Sequence, residues 1–213
     1  MDAAQHLRYE EAAWKNGYLR VCGVDEAGRG PLAGPVVAGA LILPVKFSDC
    51  LLEADDSKKI SDFRRRKIFS FLNSQSEIKW SHGIVSVKEI DQLNIYQASC
   101  LAMQRAISQL SEKPDYLLID AIYLKHITTP QEPVIKGDQN SLAIALASII
   151  AKVIRDDIML KIDREYPCYE WKKNKGYPTA AHIAAINKYG ATPHHRMSFQ
   201  PLKRLMLKQP PLS

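Results

Sequence analysis

Two neighbouring carboxylates, Asp25 and Glu26, close an apolar run and lead into the turn Gly28-Arg29-Gly30. Two unit charges about 4 Å apart cost on the order of 4 kcal/mol at an effective dielectric near 20, so a pair kept together calls for a cation. Hard divalent ions such as Mg²⁺ take oxygen ligands, usually one or two carboxylates completed by water and substrate phosphates. The chemistry within reach is therefore metal-assisted, beside a turn whose small residues let backbone approach a phosphate or sugar closely. Taken alone, a solvated Asp-Glu pair before a glycine turn is the commoner meaning of this dipeptide.

Two further acids stand where an ion site would recruit them. Tyr116 to Asp120 reads as a short apolar strand ending in Asp120, and in open α/β sheets ligands gather at the carboxyl ends of strands. If that strand lies parallel and next to the first, Asp120 stands beside Asp25 and Glu26. Asp156 falls in the same sector of a long helical pattern as Leu142, Ala145, Ile149, Val153 and Leu160. A charge on an apolar stripe is costly unless paired or metal-bound, which favours Asp156 over Asp157 at the stripe's solvated edge. Lys152, four residues earlier, is the alternative partner for Asp156.

These residues need elements to position them. Neighbouring strand residues point to opposite faces, so Asp25 and Glu26 reach one ion only if their strand ends or bends at Glu26. Leu19, Val21 and Val24 predict that strand, and residues 36–43 a buried strand returning antiparallel. After a polar turn over 55–59, Ser61 caps a helix through Phe63, Ile68, Phe71 and Leu72, with Arg64 to Lys67 as its solvated face. Residues 78–87 predict a third strand with Trp80, His82, Ile84 and Ser86 on one face. A helix over 90–110, a short strand over 133–138 and a helix over 140–166 complete the pattern. The alternation predicts α/β or α+β architecture, with three early antiparallel strands and two later parallel ones.

Composition sets the bounds. The 213 residues, 46% hydrophobic and 24% charged, suit one domain with a substantial core. The N-terminal stretch has no apolar signal-peptide core, and the most apolar segment, 142–154, is too short for a membrane span and carries Ser148 and Lys152. Cys22, Cys50, Cys100 and Cys168 lack metal-site spacing and read as reduced thiols, which places the protein in the cytoplasm. Residues 171–213 contain no acid and carry a formal +8 against a net +6, leaving −2 for the rest. A basic terminal portion on a near-neutral body points to a polyanion such as nucleic acid, or simply to a soluble basic face.

The sequence Asp25-Glu26-Ala27-Gly28-Arg29-Gly30-Pro31, then Gly34-Pro35-Val36-Val37, Asp56-Ser57-Lys58-Lys59, the strand ending in Asp120, and Ala147-Ser148-Ile149-Ile150-Ala151-Lys152-Val153 with Arg155-Asp156 closely resembles bacterial ribonuclease HII. The resemblance continues through Lys175-Gly176-Tyr177-Pro178-Thr179, His182, Gly190-Ala191-Thr192 and His194-His195-Arg196-Met197-Ser198-Phe199. It implies a ribonuclease H-like fold, with a mixed five-stranded sheet flanked by helices and a helical basic C-terminal portion. The catalytic domain would span 18–206, its core about 18–170 and the helical portion about 171–206, with an N-terminal helix or extension over 1–17 and a tail over 207–213.

The implied activity is endonucleolytic hydrolysis of the RNA strand of RNA/DNA hybrids and nicking 5′ to ribonucleotides embedded in duplex DNA, leaving 5′-phosphate and 3′-hydroxyl ends. Asp25, Glu26, Asp120 and Asp156 match the family's acids, holding two divalent ions, Mn²⁺ or Mg²⁺. Gly28, Arg29, Gly30 and Tyr177 match its reader of the 2′-hydroxyl, the group that separates RNA from DNA. Lys58 and Lys175 are expected on phosphates, and the protein is expected to act as a monomer. A ribonuclease-H-fold nuclease for another DNA structure would share the acids without the turn and Tyr177, and a non-catalytic nucleic-acid-binding module would bind without turnover.

Overall fold

The computed structural model describes residues 6–47 and 60–207. Helix α1 (Arg8–Lys15) leads to β1 (Val21–Ala27) and β2 (Val36–Leu43), followed by α2 (Asp62–Ser74), β3 (Lys79–Val85), α3 (Val87–Leu93) and α4 (Ile95–Ser108). Then come β4 (Tyr116–Asp120), β5 (Gln131–Val134), the short α5 (Gly137–Asn140) and the long α6 (Leu142–Glu165). A 3₁₀ turn (Pro167–Tyr169), α7 (Trp171–Asn174), α8 (Ala180–Tyr189) and α9 (Leu202–Leu207) close the described chain.

One five-stranded sheet, ordered β3-β2-β1-β4-β5, carries the fold. β2 pairs antiparallel with β1 and β3, whereas β4 runs parallel to both β1 and β5. β2 is buried along its whole length, as a continuous apolar run requires of a central strand covered on both faces. One face places Cys22, Val24, Ala38, Ala40 and Ile119 against Ala98, Ala102 and Met103 of α4. The other places Leu41 and Leu43 against α2 and α6 through Leu72, Leu146 and Ile150.

α6 lies directly on the sheet backbone. A Cβ at Gly23 would stand 2.1 Å from the carbonyl carbon of Ala143, and one at Gly39 would stand 2.2 Å from the carbonyl oxygen of Ala147. These two glycines set the height of α6, and with it the height of every side chain that α6 offers the cleft. The helix starts at a double cap. Ser141 Oγ accepts from the Ile144 amide, while buried Glu10 of α1 accepts from the Ser141 hydroxyl at 2.6 Å and the Ala143 amide at 2.9 Å. Between them the carboxyl and the hydroxyl meet two amides that the helix leaves unpaired, at the positive end of its dipole.

Several expected boundaries shift. β1 begins at Val21, leaving Leu19 64% exposed, and it stays paired through Glu26, whose register partner is Ala38, to end one residue later at Ala27. The expected helix over 90–110 is two helices, because Asn94 takes φ 72° and caps α4 with its side chain. Ser86 belongs to a capping box with Glu89 rather than to β3. The last strand is Gln131–Val134, and residues 137–140 are helical instead. Asp157 is ion-paired to Arg66 of α2 at 2.7 Å rather than merely solvated. The expected turn over 55–59, with Lys58, lies outside the described residues.

Candidate active site

A cleft of about 430 Å³ opens at the carboxyl ends of β1 and β4. Asp25 and Glu26 of β1 and Asp120 of β4 line it, as do the Gly28-Arg29-Gly30 turn and Tyr177. The parallel pairing of the two strands aligns Val24 with Ile119, which brings all three acids to one edge. Asp25 lies on the α6 side, within hydrogen-bond reach of the Ser148 hydroxyl, and its Oδ1 also accepts from the Glu26 amide at 2.7 Å. Glu26 follows Val24 on the α4 side, so the acids approach the cleft from both faces of the sheet rim rather than from a bend.

Burial pushes the Asp25 carboxyl well above the ordinary carboxylate range, and the charges of Glu26 and Asp120 push it the same way. Burial raises Glu26 too, with Arg29, whose Nη1 lies 3.3 Å from Glu26 Oε1, opposing and Asp120 adding to the rise. Asp120 Oδ1 accepts from the Gly137 amide at 2.7 Å, which fixes its carboxylate from the start of α5. Two acids raised by burial, with the charge of Asp120 adding to both, need added positive charge to stay ionised together. Their oxygen-only donor set suits a hard divalent cation.

Asp156 takes a different position. Its side chain is 4% exposed and Lys152 Nζ donates to its Oδ1 at 2.8 Å, so Lys152 lines the cleft and Asp156 lies behind it. Consistent with that, no three His, Cys, Asp or Glu side chains among the described residues are gathered closely enough to hold an ion as they stand. The acids at the rim, Asp25, Glu26 and Asp120, fit a divalent ion whose shell water and phosphate complete.

The sugar-reading candidates stand together in the same cleft. Gly28 has φ 100°, and a Cβ on it would meet Arg155 Nε at 2.2 Å, so glycine is obligatory there. At Gly30 the nearest atom to an added Cβ would be Tyr177 Cε1 at 3.6 Å, which places the Tyr177 ring edge over the turn. Tyr177 is 44% exposed into the cleft. Lys175 contributes its carbonyl to Arg155 and its side chain is not among the groups lining the cleft.

Arg65 is a site residue that its sequence context concealed. It sits in a run of four basic residues expected to form a solvated face, yet its side chain is 14% exposed and lines the cleft. Its Nη1 donates to the Ile60 carbonyl at 2.6 Å. Arg65 and Lys152 give the cleft the cations that a polyanionic substrate needs.

A mixed sheet in this order, with acids at the ends of its first and fourth strands, defines the chain as a nuclease-type ribonuclease H fold. The crystal structure of ribonuclease H2 from Pyrococcus horikoshii matches with a TM-score of 0.75 at 26% identity, over 89% of this chain and 98% of that one. The sequence profile of ribonuclease HII matches residues 22–202. The chain belongs to the ribonuclease HII family, endonucleases that hydrolyse the RNA of RNA/DNA hybrids. Ribonuclease HII of Chlamydia muridarum is 49% identical over 195 residues, 92% of this chain and 88% of that one. That of Desulfitobacterium hafniense is 48% identical over 198 residues, 93% of this chain and 75% of that one.

Proposed function

We propose that this cleft hydrolyses the phosphodiester 5′ to a ribonucleotide, in RNA/DNA hybrids and at single ribonucleotides within duplex DNA, giving 5′-phosphate and 3′-hydroxyl ends. The observation that carries the reading is the convergence of Asp25, Glu26 and Asp120 in one cleft with the Gly28-Arg29-Gly30 turn and Tyr177. Asp25, Glu26, Asp120 and Asp156 hold two divalent cations, Mg²⁺ or Mn²⁺. The chemistry such ions supply is Lewis acidity toward the attacking water and the departing 3′ oxygen.

The chain's own groups do the rest. Arg65 and Lys152 hold non-bridging phosphate oxygens, and Lys152 exchanges its carboxylate partner for phosphate, which frees Asp156 for the ion site. Lys58 and Lys175 contact phosphates further along the strand. The turn's backbone and the Tyr177 hydroxyl hydrogen-bond the ribose 2′-oxygen while the Tyr177 ring packs on the next sugar. The acids and the reader share one stretch of chain, so the phosphate cut is fixed relative to the ribose read. The protein works as a cytoplasmic monomer on this reading, and among the described residues no helix is long and apolar enough to cross a membrane.

Incubation with Mg²⁺ or Mn²⁺ and a DNA duplex bearing one ribonucleotide tests the proposal. A nick immediately 5′ to that ribonucleotide, absent from the all-deoxy duplex, is expected. Cleavage of branched DNA instead, or binding without any cut, would remove it.

A further inference from the structure

Two arginines in this protein are almost wholly buried, Arg196 at 0% and Arg155 at 1% exposure. Their hydrogen-bond partners are backbone carbonyls rather than carboxylates. Arg196, between α8 and α9, donates through Nη2 to Gly28 at 2.6 Å and Pro35 at 3.1 Å, through Nη1 to Arg29 at 3.0 Å and through Nε to Gly34 at 2.9 Å. Arg155 of α6 donates through Nε to Pro35 at 3.1 Å and through Nη2 to Ala33 at 3.1 Å and Lys175 at 3.0 Å. The loop from Gly28 to Pro35 is thus wrapped around two planar forks, one of which also grips the segment leading to Tyr177.

Burying a guanidinium that no carboxylate hydrogen-bonds is expensive. Burial brings Arg196 down to about 9, with the charge of Arg155 pushing the same way. Leucine-like packing would hold a loop against a helix at lower cost, so the fork geometry itself is what the site uses. Five donors in a fixed plane can set several carbonyls at fixed relative angles, which a flexible ammonium cannot. Backbone pairing joins in. Arg196 N donates to Leu32 O at 2.8 Å, Gly34 N to His194 O at 2.9 Å and Leu32 N to Gly176 O at 2.8 Å. The reading turn and Tyr177 therefore have one common support.

We infer that Arg196, assisted by Arg155, is the positioning residue for ribose recognition: it presets the distance and angle between the Gly28-Arg29-Gly30 backbone and the Tyr177 ring. The inference rests on the proposed function of the cleft. It separates substrates in a measurable way. A single ribonucleotide offers one register in which its 2′-hydroxyl meets the reader, whereas a continuous hybrid offers a ribose in every register. Misplacing the turn hurts the single-ribonucleotide substrate far more than the hybrid.

The test compares wild type with Arg196→Lys and Arg155→Lys, each retaining charge but losing the fork. kcat/KM is measured in Mn²⁺ on a duplex with one ribonucleotide and on a continuous RNA/DNA hybrid, with thermal melting as the control for folding. The ratio of the two activities is expected to drop by at least about tenfold in Arg196→Lys, mainly through KM, and in the same direction in Arg155→Lys. Equal losses on both substrates, a ratio within about twofold of wild type, or failure of both variants to fold would make these arginines simple scaffold and overturn the inference. A wild-type protein that makes no ribonucleotide-dependent nick would instead remove the functional reading on which the inference stands.

Discussion

Asp120 is the acid whose loss should separate chemistry from binding. It is fixed by the Gly137 amide and adds its charge to the field at both Asp25 and Glu26. Asp120→Asn keeps an acceptor for that amide but removes the carboxylate charge that the proposed ion site uses, so nicking should fall at least about a hundredfold. Affinity for an uncut duplex, followed by fluorescence anisotropy, should be spared or raised. Tyr177→Phe keeps the ring over Gly30 and removes the hydroxyl, and one lost hydrogen bond of about 1.4 kcal/mol is a tenfold loss in kcat/KM on the single-ribonucleotide duplex. An unchanged value would show that stacking alone carries the recognition. Because Arg29 offsets the repulsion among the cleft acids only at Glu26, added Mn²⁺ should raise the melting temperature of wild type more than that of Asp120→Asn, and a chelator should abolish nicking.

At the scale of elements, the imidazole pair that supports the Tyr177 segment responds to acid. Amides and indoles can only donate, so the tautomers follow from the partners. Thr192 N–H donates to His195 Nδ1, which leaves its proton on Nε2 facing His182. Trp171 Nε1 donates to His182 Nε2, so His182 carries its proton on Nδ1 and gives it to the Tyr177 carbonyl. Neither ring has room for a second proton. Burial first, then His182 and His194, lower His195 to about 4, and burial lowers His182 as well. Each ring is neutral when folded, while the unfolded chain takes up the proton near its ordinary value of about 6.5. This stability is complete above that value and is lost as pH falls toward about 4. Melting temperature should decline across that window, and the decline should flatten in His195→Asn.

α6 answers to a different constraint. Gly39→Ala pushes a methyl into the Ala147 carbonyl and should cost about 1–3 kcal/mol. It should also lower activity in the surviving folded protein by lifting Lys152 and Asp156 away from Asp25.

These elements differ in how plainly the sequence announces them. A short continuous apolar run after the Gly34-Pro35 break reads as a covered strand, and β2 takes its expected bounds. A strand following a helix and ending in an acid placed Asp120 correctly beside β1. The break at Asn94 carries no such signal, since the apolar period runs through it and only the tertiary packing asks for a left-handed residue. Arg65 was hidden by its neighbours: four adjacent basic residues look solvent-facing until α2 is laid across the cleft. Arg155 and Arg196 were hidden by their type, because a charge is assumed exposed unless an acid is seen to pair with it, and backbone carbonyls leave no trace in a sequence.

At the scale of the whole molecule, sheet, long helix and C-terminal helices meet at one point. Leu32 and Ala33 of the reading loop pack with Met159 of α6, Trp171 of α7 and Ile186 of α8. The other end of α6 is secured by the first helix. Glu10→Ala leaves the Ala143 amide uncapped and should cost about 1–2 kcal/mol, read as a lowered melting temperature with the nicking rate per folded molecule unchanged.

That clasp joins residues 131 positions apart, which gives it a meaning in time. At about 5–20 residues per second, a ribosome reaches Ser141 roughly 7 to 26 s after Glu10 has been made. Helix α1 is thus synthesised well before its partner and cannot be seated until the strand bearing Asp120 and the beginning of α6 have followed it. A buried acid with nothing to cap marks an unfinished chain, and its capture marks the arrival of the helix that supplies Lys152, Arg155 and Asp156.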